Sequence, residues 1–226
     1  ESAKVWHSQH GLILAVAAVA AAEDYFRTLL TDLVGVCALT AERVKSMETK
    51  LEFVFTSSVA DAMRAVLDRE SFSSAEAITT WTKKITGKKD TGLSLKTLLD
   101  EYERVCHVRH CAVHSGGYVS QHNARVLGVQ AGTWISLGSP QAIHEIVAVV
   151  TGTIRAYNQE LFEHTVERWL VEQELMGEWR LDRPAFTRLW NLFRSTRDIQ
   201  AAASIRPNAY LAYRVVQPAL RARNAS

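Results

Sequence analysis

No proline precedes Pro140, and the chain has only four, at positions 140, 184, 207 and 218. Nothing in the first half therefore blocks a helix through ring geometry or a missing N–H. Cysteine is equally scarce. Cys37, Cys106 and Cys111 are an odd set without paired spacing, which excludes a disulfide framework and fits free thiols in a reducing cytoplasm. Net charge is also small: 26 basic and 24 acidic side chains leave +2. Bulk electrostatics thus points to neither nucleic acid nor membrane, and any such assignment has to rest on local clustering. Long apolar runs are missing as well. The most hydrophobic stretch, Gly11 to Ala22, meets Glu23, Asp24 and Arg27 at once and falls short of the roughly 20 apolar residues a bilayer span requires. It reads as a core helix, with no membrane partner implied. Residues 1–10 lack the basic leader of a secretory signal, and Glu1 in place of methionine leaves the upstream sequence open.

What is present is the balance of a folded protein: 226 residues, 47% hydrophobic and 22% charged, enough for a sizeable core in one domain or one domain with an extension. Apolar residues recur at helical intervals nearly throughout. Leu12, Val16, Val19, Phe26, Leu30 and Leu33 predict a helix over 10–36. A second helix is expected from a cap at Thr40 to about Asp68, with a break within the β-branched and aromatic stretch 51–58. Ser73 or Ser74 caps a third that Gly87 ends, and a fourth runs over 94–115. The segment 118–138 is richer in glycine, and its two short apolar runs around Val126 and Trp134 suggest a small hairpin or an irregular loop. Ser139 and Pro140 open a long helix to about Leu175, in which Gly152 costs stability unless another helix approaches there. Gly177 divides a bundle over 1–176 from a C-terminal helical extension over 177–226. Helices are expected there from Asp182 and Pro184 and from Pro207, the second interrupted by Pro218. The fold class is all-α, an antiparallel helical bundle.

Chemistry concentrates in Glu101-Tyr-Glu-Arg-Val-Cys-His-Val-Arg-His-Cys-Ala-Val-His-Ser-Gly-Gly117. At about 100° per residue, Glu103, His107, His110 and His114 form one stripe of the fourth helix, with Arg109 at its border. Histidine titrates near pH 6.5 and serves as proton acceptor or donor, while arginine offers phosphate a permanent planar fork. Cleavage of RNA by its own 2′-OH needs an acceptor, a donor and a fixed cation, and one helix carries all of these residue types. Lys83, Lys84, Lys88 and Lys89 add a basic cluster. It is either a solvated helix end with favourable charge or a contact for RNA phosphates. Structural roles compete for the other groups too: Arg109 paired with an acid, His114 as a helix-end cation, and His107 as a solvated surface residue.

Arg109-His-Cys-Ala-Val-His114, followed by Ser-Gly-Gly, resembles the Arg-x4-His signature of the HEPN family. The order of elements over roughly Trp6 to Leu175 is similar too, and the likeness is to bacterial stand-alone HEPN ribonucleases of toxin–antitoxin and phage-defence systems. The resemblance implies a metal-independent, cofactor-free endoribonuclease whose composite site forms where two signature helices meet in a homodimer. It assigns Arg109 to charge stabilisation, His114 to acid or base catalysis, His110 to phosphate orientation or proton transfer, and Glu23 to an ion pair supporting Arg109. RNA, with tRNA among the candidates, and an antitoxin or regulatory protein are the implied partners. Attack by the internal hydroxyl gives 2′,3′-cyclic phosphate and 5′-OH ends. Some toxins of this family carry Arg-x4-His-x-Tyr, but here the nearest tyrosine is Tyr118, two positions late.

On an ideal helix Arg109 and His114 stand about 140° apart, so arginine's length, the helix end or a partner chain has to bring them together. Two further readings stay open. One is a non-catalytic HEPN module for dimerisation or RNA binding. The other is a metal hydrolase with His107, His110 and His114 as ligands, against which the ladder's length of about 10 Å weighs.

Overall fold

The computed structural model describes residues 2–47, 58–172, 175–195 and 208–224. The protein is all-α, with nine helices among the described residues: α1 (Ser2–Val36), α2 (Ala38–Lys45), α3 (Val59–Leu67), α4 (Ala75–Thr86), α5 (Leu93–His114), α6 (Gln121–Leu127), α7 (Pro140–Val171), α8 (Trp179–Phe193) and α9 (Ala209–Asn224). None of them is long and apolar enough to cross a membrane.

Several local expectations need correction. The second expected helix is two, α2 and α3, and Cys37 rather than Thr40 stands at the N-cap of α2; the stretch read as a break, 51–58, lies almost wholly outside the described residues. The expected hairpin around Val126 is α6 instead. Only Tyr118 and Trp134 form an isolated antiparallel bridge, because Ser120 caps a helix by accepting the Asn123 N–H and Gly128 closes it at φ 68°. The long helix stops at Val171, and α8 starts three residues before Asp182. Pro218 lies within α9 without ending it; the expected start at Pro207 falls outside the described residues.

Contacts group the chain into two compact units, one of Glu1–Thr28 with Arg64–Tyr157 and one of Leu29–Met63 with Asn158–Ser226. Gly177 lies inside the second. The first unit is built around Phe26, which packs its ring against Phe72, Tyr102 and Tyr157 at centroid distances of 6.4, 6.0 and 4.9 Å. All four are buried, and at roughly 1.5–3 kcal/mol per large apolar side chain this cluster is a main source of the unit's cohesion. Its polar tips are satisfied: Tyr157 shares a hydrogen bond of 2.7 Å with Thr82, and the Tyr102 hydroxyl donates to the Phe72 carbonyl at 3.3 Å. Helix α5 lies beside Gly152 of α7, but a Cβ there would make ordinary contact with Leu98 at 3.5 Å, so the approach does not require glycine; the neighbouring Thr153 hydroxyl donates to the Leu98 carbonyl at 3.1 Å.

In the second unit, Phe162 meets Phe186, Trp190 and Phe193, and Tyr213 packs on Phe186 and Trp179. Buried Asp182 accepts the N–H groups of Met176 and Gly177 at 2.8 and 2.9 Å and the Tyr213 hydroxyl at 2.5 Å. One carboxylate thus ties the turn before α8 to α9.

Candidate functional site

Helix α5 is fixed along one face and bare along another. Leu95, Leu99, Tyr102, Val105 and Cys106 are buried, as their three- and four-residue spacing predicts, and so is Cys111. Its end is sharply defined, since the N–H groups of Ser115 and Gly117 both return to the Cys111 carbonyl, at 3.1 and 3.0 Å. Gly116 and Gly117 follow at φ 58° and 94°, in the left-handed region. At Gly117 space is short as well: a Cβ would come within 2.8 Å of the Trp134 indole nitrogen and 3.0 Å of Leu12. Val113, near the end of the helix, is exposed.

An open pocket of about 100 Å³ lies in the first unit against the second half of α5. Glu103, Cys106, His107, Arg109 and His110 line it from that helix. Ser73, just before α4, lines it too, as do His122 and Asn123 of α6. Sequence reasoning missed this last pair because it read their segment as a small hairpin or an irregular loop; the Ser120 cap and the Gly128 stop were the signals for a helix there.

Arg109 is half-buried, and among the described residues its guanidinium makes no hydrogen bond or ion pair. The ion pair expected from Glu23 is not formed. Glu23 Oε1 accepts the Ser71 hydroxyl at 2.8 Å and the Phe72 N–H at 2.9 Å, so the carboxylate holds the segment that leads into α4 and carries Ser73. Glu103 is likewise committed, accepting the Ala75 N–H at 2.6 Å at the start of α4 and standing 3.6 Å from His107 Nε2.

The imidazoles divide between two tasks. His107, expected on the solvated surface, is largely buried instead: its Nδ1 lies 2.8 Å from Asn123 Oδ1, and its side chain is 12% exposed. Asn123 is fully buried and donates its amide to Cys111 Sγ at 3.1 Å, so this chain of contacts locks α6 onto α5. His110 and His114 are exposed and paired at a ring-centroid distance of 4.6 Å. His114 is the last residue of α5 and does not line the pocket. His110 therefore stands between Arg109's pocket and His114. Its pKa is lowered by burial first, and then by His114, His107, Arg109 and His122. The neutral imidazole is favoured as a result. His122 is exposed, with its ring centroid 5.5 Å from that of His107.

The three α5 imidazoles do not converge on one point, and among the described residues no group of three His, Cys, Asp or Glu side chains is placed to hold a metal ion. All three cysteines are free and buried. Burial, first among its causes, pushes the Cys106 thiol up to about 12, which leaves it a poor nucleophile despite its place in the pocket wall. The lysine cluster lies apart from this lining. Lys84 stands 4.4 Å over the Trp81 ring, Lys88 donates to the Asp90 carbonyl, and Lys83 and Lys89 are exposed.

No protein-family model matches the chain, and neither a known protein nor a solved structure does.

Proposed function

We propose that this protein is a HEPN-type endoribonuclease that cleaves RNA without a metal ion, acting as a homodimeric toxin or defence effector in the cytoplasm. The observation that carries the reading is the bare Arg109 guanidinium. It is a permanent cation, held half-buried beside a pocket, on the same helix as two exposed histidines, with no acid among the described residues bonded to it. A cation so placed costs desolvation without return in the free protein, and a phosphate oxygen supplies the missing partner.

In the proposed reaction the RNA 2′-OH loses its proton to an imidazole and bonds to the adjacent phosphorus. The bond from phosphorus to the 5′-oxygen breaks, and a second imidazole protonates that oxygen. His110, biased toward its neutral form, suits the accepting role, and His114 the donating one. Arg109 holds the charge that grows on the non-bridging oxygens. RNA, with tRNA among the candidates, is the substrate. A second copy of the chain completes the site, Lys83, Lys84, Lys88 and Lys89 contact RNA phosphates further along, and an antitoxin or regulatory protein controls the activity.

The test is incubation of wild type, Arg109→Ala and His114→Ala with total RNA in EDTA, followed by end analysis. Wild type is expected to yield 2′,3′-cyclic phosphate and 5′-OH ends, and each variant to lose cleavage. Ends bearing a 5′-phosphate, or equal cleavage by all three proteins, would overturn the assignment. RNA retention without any cleavage identifies a binding module instead.

A further inference from the structure

The pocket has a wall for which the proposed cleavage chemistry has no use. We infer that it is a binding site for one phosphoryl group, in which His122 of α6 meets the phosphate oxygens together with Arg109 and His110 of α5. Under the proposed function this group belongs to the RNA chain, so the inference deepens that reading, although the pocket's affinity for phosphate does not require cleavage.

Size is the first argument. About 100 Å³ is well below the roughly 300–1,000 Å³ of pockets that enclose organic ligands, and it suits a tetrahedral oxyanion rather than a nucleobase. Charge is the second. Arg109 brings donors with no other partner among the described residues, and three imidazoles share the lining. Glu103 is the only carboxylate there, and its charge is already shared by the Ala75 N–H and His107. Asn123 and Ser73 are neutral, and the Ser73 hydroxyl is 2.7 Å from that of Ser71. Cys106 carries no charge at neutral pH.

The third argument is the crowding of imidazoles. His107, His110, His114 and His122 are half of the chain's eight histidines, drawn from two helices and joined by ring contacts. Each of the other three, with Arg109, works against a proton on His110. Among the described residues, no acid is bonded to His110, His114 or His122 to offset the repulsion these groups feel when charged. An oxyanion bound among Arg109, His110 and His122 offsets it by accepting their N–H groups. Neither His122 nor His110 makes a hydrogen bond among the described residues, and both are exposed. Their donors are free, and truncating either leaves the core untouched.

The experiment is titration of the full chain with inorganic phosphate at about pH 7, following the histidine ring protons by NMR. Wild type should show saturable shifts at His110 and His122. His122→Ala should bind about tenfold more weakly, the worth of one charge-assisted hydrogen bond. His122→Asn, which keeps a donor, should recover part of this. Lys96→Ala, at an exposed position outside the pocket lining, should bind as wild type does. Undiminished binding by His122→Ala, or shifts confined to other histidines, would overturn the inference. Phosphate binding by a chain that never cuts RNA removes the nuclease reading and leaves the pocket standing. RNA cleavage with no phosphate effect on these rings does the reverse.

Discussion

Asp182, in the second unit, is 4% exposed and accepts three hydrogen bonds from two backbone N–H groups and a tyrosine hydroxyl. Arg109, in the first, is half-buried and bonds to nothing among the described residues. A buried charge is retained when the fold surrounds it with partners, and it then works as a structural tie. A partly buried charge that the fold leaves bare has its cost offset elsewhere, and a ligand is the natural place to look.

The contrast breaks most sharply on a pair of alanine variants. Arg109→Ala is expected to lower RNA cleavage about 10²- to 10³-fold, the worth of one preorganised charge-stabilising group, while urea unfolding stays within about 0.5 kcal/mol of wild type. Asp182→Ala should do the opposite, costing about 3 kcal/mol of unfolding free energy by orphaning three donors. If the Arg109 variant is the unstable one, the arginine is structural and the site argument ends. Glu23 sharpens the comparison from between these extremes. It is bonded, like Asp182, but what it holds is the segment that carries Ser73 of the pocket. Glu23→Ala should cost about 1–2 kcal/mol, and phosphate affinity should weaken with it. The smallest effect is in pH. The folded chain disfavours a proton on His110, so the unfolded chain binds more protons between that lowered value and the ordinary imidazole value. This contribution to stability is complete above the ordinary value and is lost as pH falls through that window. Denaturant midpoints from about pH 8 to about pH 5 should show a downward drift in wild type that is shallower in His110→Ala.

Where local rules decide, the sequence was readable. The buried set of α5 and the cap of α4, expected at Ser73 or Ser74 and found at Ser74, which accepts the Ala77 N–H, follow from spacing and residue type. What escaped was set by contacts distant along the chain. Glu23 reaches Phe72 across 49 positions, and the Ser71 hydroxyl and the Phe72 N–H take up the carboxylate that was expected to meet the guanidinium. His107 looked solvent-facing because its partner Asn123 belongs to a helix that was not foreseen. That helix was missed through a competition of signals: short apolar runs around Val126 and Trp134 suggested a hairpin or an irregular loop, while Ser120 and Gly128 marked the two ends of a single short helix. With α6 unseen, His122 was unseen as well. The sequence located Arg109, His110 and His114 on one helix, but not the pocket wall across from them.

The burial of all three thiols has a practical consequence. Because the protein brings no reactive sulfur to its surface, a cysteine placed at exposed Tyr118 would be the sole target of a maleimide or nitroxide reagent under native conditions. Pulsed dipolar spectroscopy on such a singly labelled chain would count the copies in an assembly and measure their spacing without altering Arg109, His110 or His114.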